Sequence, residues 1–278
     1  MISPPRSRVS AAALEREVAE YFSLGLELAP GCTVVDVGAN IGAFSLHAAR
    51  ACAGDVRILA FEPSPDTFAA LATNFERTPL LRRTAHRLFP IGLSSAERAG
   101  EWLSFWDFSR FPTNSTFHLS EKRGELELFF GVQGARAQVW IEDHVPGPAG
   151  RWIGAVARRA IQRVFAGRAG WWIARKVMGV RERRIPVDTL AAVLAREADL
   201  ERIDLLKIDV EGPELEILRG LDDRTWTKVQ QVLETHDRDG RLRVIERTLR
   251  AHGLSAIRSA PQRIGDNGRA AILVHARR

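Results

Sequence analysis

The residues best able to do chemistry lie where acids meet tight turns. Val34-Val35-Asp36-Val37-Gly38-Ala39-Asn40-Ile41-Gly42 ends an apolar, β-branched run in an acid and follows it with small residues. Glycines at such a turn let the backbone approach a ligand that side chains would hold off. The ligand then sits at the C-terminal edge of a parallel strand, against a helix N-terminus. Dinucleotide sites favour G-x-G-x-x-G, which brings a pyrophosphate close. Here the spacing is G-x-x-x-G, with Asp36 two positions before the first glycine. That acid repels a pyrophosphate and suits a ligand with a cationic end, such as the aminoacyl end of S-adenosylmethionine. Twenty positions beyond Gly42, Glu62 in Phe61-Glu62-Pro63-Ser64-Pro65 is placed to accept hydrogen bonds from both hydroxyls of a ribose.

A third stretch, Leu205-Leu206-Lys207-Ile208-Asp209-Val210-Glu211-Gly212-Pro213-Glu214, ends another strand in two acids before another helix. By the topological rule for open α/β sheets, Asp209 and Glu211 point into the same crevice as the first loop. Asp209 is a candidate for cofactor or substrate contact, and Glu211 for a base or a cation ligand. Glu214 reads as charge compensation at a helix N-terminus.

The elements that must position these residues follow from periodicity. Ala11 to Leu28 has apolar residues at helical spacing and ends at Pro30-Gly31. Strands are expected at 33–37, 57–61 and 86–93, with helices over 41–51 and 66–75, a βαβ pattern that implies a parallel sheet. Residues 100–108, 125–130 and 137–141 read as extended segments with turns between them. The pattern resumes with a strand over 203–210, a helix opening at Pro213, a strand over 229–234, a helix over 241–252 and a strand over 270–275.

The chain of 278 residues is 45% hydrophobic and 27% charged, with two cysteines, Cys32 and Cys52. A core of useful size needs no disulfides at this length, and both cysteines fall in core elements. A reducing, cytoplasmic compartment is the expectation, with no apolar run near the ~18 residues of a membrane span and no signal-peptide pattern. The formal charge of +6 is uneven: Arg151 to Arg184 holds ten Lys or Arg and one acid, Glu182. Within this insert, Ile153, Val156, Ala157, Ala160, Ile161 and Val164 recur at helical spacing, and Trp171 and Trp172 follow among cations. Cations beside tryptophans and aliphatics fit an interfacial helix on anionic lipid. An apolar stripe packed on the domain as a lid is the plainer alternative. Nucleic acid is not expected as a partner, since the rest of the domain is slightly acidic and no Asn-Pro-Pro-aromatic or Pro-Cys motif occurs.

Three stretches, Val34–Gly42, Phe61–Pro65 and Leu205–Leu221, resemble the FkbM family of S-adenosylmethionine-dependent methyltransferases. Pro90-Ile91-Gly92-Leu93-Ser94, Asn114-Ser115-Thr116 and Pro186-Val187-Asp188-Thr189-Leu190 are similar too. The resemblance covers roughly 31–234, apart from 147–184. It implies a Rossmann-like class I methyltransferase fold, a mostly parallel sheet with helices on both faces, and O-methylation of sugars or natural products. It also implies cofactor contacts at Asp36, Gly38, Asn40, Gly42 and Glu62; Ala39, Pro63, Leu93 and Asp209 join them on the same segments. The expected organisation is an N-terminal helix (1–30), a first half-domain (31–99), a β-rich and basic helical insertion (100–184) and a second half-domain (185–278).

Methylating an alcohol requires a base, because a hydroxyl is a weak nucleophile. His236, in Glu234-Thr235-His236, follows a strand expected beside Asp209 and has the side-chain pKa nearest neutral; Glu211 is second. His118 and His144 have no partner readable in the sequence. Asp209, Glu211 and Glu234 could offer oxygens to Mg²⁺, but their spacing matches no metal loop, so a metal-independent reaction is expected. The rival readings are a nucleotide-dependent oxidoreductase and a membrane-associated binding module without turnover.

Overall fold

The computed structural model describes residues 1–4, 7, 14, 18–19, 21–124, 126, 138, 141, 145, 147–165, 167–210, 212–236, 241–264 and 269–278. In chain order the strands are β1 (Cys32–Val37), β2 (Val56–Phe61), β3 (Ala85–Phe89), β4 (Gly92–Leu93) and β5 (Trp102–Phe108). They continue with β6 (Val180–Asp188), β7 (Leu205–Ile208), β8 (Gln231–His236), β9 (Ala256–Ile264) and β10 (Arg269–Arg277). The helices are α1 (Ala43–Ala51), α2 (Pro65–Arg77), α3 (Pro79–Arg83), α4 (Pro148–Phe165) and α5 (Gly167–Met178). The later ones are α6 (Leu190–Leu194), α7 (Glu214–Arg219), α8 (Asp223–Lys228) and α9 (Arg241–Ala251).

The principal sheet has seven strands in the order β3-β2-β1-β7-β8-β10-β9. The five strands from β3 to β8 run parallel; β10 is antiparallel to both of its neighbours. Strand order reverses between β1 and β7, so the loops that follow these two strands border one crevice. A second, three-stranded sheet, β4-β6-β5, stands beside it.

Strands buried on both faces explain the unbroken apolar runs in the sequence. Val34, Ile58, Leu205 and Leu233 face one hydrophobic cluster with Phe44 of α1 and Leu71 and Phe75 of α2. Val35, Leu59, Leu206 and Val232 face the other, with Ile217 and Leu218 of α7 and Ile245 and Leu249 of α9. Helices on both faces of a mostly parallel sheet give the Rossmann-like class I fold. β6 runs across the junction expected at 184/185, joining the insertion to the second half by one continuous strand. Leu126, Gln138 and Ile141 are helical, where 125–130 and 137–141 read as extended; most of those two stretches lies outside the described residues.

Candidate active site

The loop after β1 turns through three left-handed residues, Gly38 (φ 74°), Asn40 (φ 51°) and Gly42 (φ 88°). Its amides are tied to the end of β2: Gly38 N and Ala39 N donate to the Phe61 carbonyl at 3.1 and 2.9 Å. On its other side it meets the loop after β7. A Cβ on Gly38 would lie 2.0 Å from the Asp209 carbonyl oxygen. Gly38 is therefore required by the approach of two strand ends as much as by any ligand.

Glu62 is buried at the end of β2. One carboxylate oxygen accepts from Ser64 N at 2.8 Å and the other from Asn40 N at 3.1 Å. Burial pushes its carboxyl up to about 7, against these two amides, which favour the charged form. Ser64 also donates to Asp107 of β5 at 3.2 Å, and Asp107 accepts from Arg183 of β6 at 3.0 Å. The smaller sheet thus braces the loop that carries Glu62.

A cleft of about 610 Å³, counting its open mouth, runs between these loops. Val37, Gly38 and Asn40 line it from the first loop, and Glu62 and Pro63 from the second. Leu93, Thr116 and Phe117 come from the region of the smaller sheet, and Asp209 and Pro213 from the loop leading to α7. Among the expected cofactor residues, the cleft therefore gathers Gly38, Asn40, Glu62, Pro63, Leu93 and Asp209. Asn40 lines the cleft, and its Oδ1 is buried without a hydrogen-bond partner.

Asp36, Ala39 and Gly42 do not line the cleft. Asp36 is fully buried beneath α1, where it accepts from Ser45 Oγ at 2.7 Å. In the β1–β7 register it stands opposite Lys207, whose ammonium lies 3.0 Å from its carboxylate. Lys207 also donates to the Gly38 carbonyl at 2.8 Å and lies 3.8 Å from Asp209. Burial acts to lower the Lys207 pKa, but the charges of Asp36 and Asp209 outweigh it and hold the pKa above its ordinary value. The first acid thus acts behind the loop, through a lysine, and Asp209, at the end of the neighbouring strand, lines the cleft instead.

Glu234 stands on the opposite face of the sheet from this pair, beside Ile208 in the β7–β8 register, and is fully buried. Burial, with the charges of Glu214 and Asp209 nearby, raises its carboxyl well above the usual range. Glu234 is not among the residues that line the cleft. His236 ends β8 opposite Ile272 of β10; its side chain, Glu211 and His144 lie outside the described residues. Among the described residues, no group of three or more His, Cys, Asp or Glu gathers as a metal ion would require.

Several partners were not legible in the sequence. Tyr21 donates to Asp209 Oδ2 at 2.7 Å. His118 lies between Glu121 and Glu216, 3.4 Å from each. The Glu216 carboxylate raises the pKa of His118 although burial opposes it. His118 faces a second cavity of about 1130 Å³, also counting its open mouth, which shares Leu93, Phe117 and Pro213 with the cleft. Cys32 and Cys52 bring their sulfurs to 3.3 Å in the core, and burial pushes the Cys32 thiol up to about 12, which keeps it unreactive.

The sheet order, the antiparallel β10 and a ligand cleft at the reversal of strand order define a class I methyltransferase fold. The chain belongs to the FkbM methyltransferase family: residues 36–255 match the model described as the methyltransferase FkbM domain. It is 34% identical over 239 residues to the 31-O-demethyl-FK506 methyltransferase FkbM of Streptomyces tacrolimicus, covering 85% of this chain and 78% of that protein. It is also 34% identical over 241 residues to the AMB antimetabolite synthetase AmbE of Pseudomonas aeruginosa; the match covers 84% of this chain but spans only 10% of that much longer protein. Among solved structures it is similar to the methyltransferase FkbM of Methylobacillus flagellatus, at a TM-score of 0.46 and 13% identity, covering 97% of this chain and 56% of that one.

Proposed function

We propose that this chain transfers a methyl group from S-adenosylmethionine to a hydroxyl of a sugar, lipid-linked or natural-product acceptor. The observation that carries the reading is Glu62, a buried carboxylate held by two backbone amides on the wall of the cleft. Each of its oxygens keeps a lone pair for one ribose hydroxyl. Asn40 Oδ1, buried and unpartnered, gives the bound nucleoside a further acceptor. Oxygen as the accepting atom is supported by the relative whose name specifies an O-demethyl substrate.

When bound, S-adenosylmethionine supplies a methyl group carried on a positively charged sulfur. Asp209 faces that positive end, and the Asp36–Lys207 pair holds the Gly38 loop in place behind it. The acceptor hydroxyl must lose its proton as it attacks, and His236, at the C-terminal end of β8, is the base proposed to take it; Glu211 is the alternative. The exposed tryptophans and cations of α4 and α5 favour a further element of the proposal, contact with an anionic membrane surface from which a lipid-linked acceptor is drawn.

Calorimetry tests the central reading. S-adenosylhomocysteine is expected to bind and NADH not; binding of NADH alone would hand the cleft to an oxidoreductase. Extracts of cells with and without the chain should then differ by one compound heavier by a methylene. With that acceptor in hand, His236→Ala should lower kcat by about 10²–10⁴ while leaving S-adenosylhomocysteine affinity intact.

A further inference from the structure

A residue ahead of the matched family span touches the cleft from behind its wall. Leu14, Val18 and Tyr21 are helical and buried in the same hydrophobic cluster as Phe44 of α1. Tyr21 is the single tyrosine of the chain. Only 2% of it is exposed, with its ring centroid 6.1 Å from that of Phe44. A buried phenol needs a partner for its hydroxyl, and this one donates to Asp209 Oδ2 at 2.7 Å. The carboxylate it meets lines the cleft, with its side chain 37% accessible, and the same oxygen lies 3.8 Å from the Lys207 ammonium.

We propose that Tyr21 is a positioning residue: from behind the cleft wall, and from a segment preceding the family domain, its hydroxyl fixes the orientation of Asp209 toward the positive, aminoacyl end of the methyl donor. The assignment rests on the proposed use of S-adenosylmethionine. Its geometry is specific to a phenol. The ring is held beside Phe44 in the core, which brings the hydroxyl against Asp209, and a hydrogen bond to a charged acceptor is among the stronger kinds. With Oδ2 engaged by Tyr21 and flanked by Lys207, the carboxylate is held from the protein side. Phenylalanine at position 21 would keep the packing and lose only this restraint.

The test separates orientation from packing by the choice of ligand. S-adenosylhomocysteine carries the aminoacyl group that Asp209 faces; adenosine lacks it and relies on Glu62 and Asn40. In the full chain, Tyr21→Phe should weaken S-adenosylhomocysteine about tenfold, with adenosine affinity and the thermal unfolding midpoint little changed. Asp209→Asn should show the same selective loss, and the double variant should lose no more than the larger single loss, the mark of two residues acting as one unit. Equal weakening of both ligands would reduce Tyr21 to a packing residue. Unchanged S-adenosylhomocysteine binding in Tyr21→Phe would overturn the proposal while leaving the function of the cleft standing. A native chain that binds adenosine but not S-adenosylhomocysteine would overturn both.

Discussion

Glu62 carries a pH dependence that can be worked out at the scale of one residue. Its carboxyl is raised from an ordinary 4.5 to about 7, chiefly by burial. A raised carboxyl stabilises the fold below its unfolded pKa, and that contribution is lost as pH climbs from about 4.5 through about 7. The bound nucleoside has the opposite preference, because ribose hydroxyls donate to the ionised form. From pH 6 to pH 8 the ionised fraction rises roughly tenfold. S-adenosylhomocysteine affinity should therefore rise by up to about tenfold over that interval, and Glu62→Gln should flatten the profile; calorimetry at the two pH values reads both. The place of Glu62 on the cleft wall was legible in the sequence because it ends the second strand, next to the glycine turn that ends the first. The orientation of Asp36 was not, because an acid near a glycine turn can face the crevice or the helix above it. The deciding contacts, Ser45 nine residues later and Lys207 171 residues later, are tertiary.

The pairing of β1 with β7 sets what the element scale must bear. Their register brings Asp36 and Lys207 together in a closed space, and removing one partner of a buried pair strands the other charge. Lys207→Met should cost about 3–5 kcal/mol of stability, read as a shift in the urea midpoint. The double variant Asp36→Leu/Lys207→Met should recover much of it, because an apolar pair leaves no unpaired charge. β1, β2 and β7 were legible as apolar runs, and α4 as a periodic stripe. β9 was not, because Pro261 and scattered arginines interrupt its pattern. It is tolerated because β9 lies at the edge of the sheet, where a missing amide breaks no interior ladder. β6 was hidden in the same way by Arg181, Arg183 and Arg184, of which Arg183 works inward on Asp107.

At the scale of the molecule, the methyltransferase domain carries a cationic, tryptophan-bearing appendage. Trp152 is 70% exposed and Trp172 59%, and Lys176 stands 4.7 Å over the Trp172 ring. Among the described residues, no helix is long and apolar enough to cross a membrane, so any association through α4 and α5 is at the surface. The intact protein should co-sediment with anionic vesicles at low salt, release at high salt as screening sets in, and ignore zwitterionic vesicles. Failure to bind anionic vesicles at low salt would leave the two helices as a lid. Composition made this region stand out, but the stripe alone could not say whether its apolar side meets protein or lipid.

The placement of β10 has a consequence for how the chain comes off the ribosome. This strand follows β9 in the chain yet lies between β9 and β8, joining each by nine and six paired positions. Until residues 269–277 emerge, β8 presents an unsatisfied edge and β9 has no native neighbour to pair with. Synthesis therefore passes through an interval in which five parallel strands are complete while one side of the sheet stands open, and during that interval the nascent protein is most open to capture by chaperones or by its own kind.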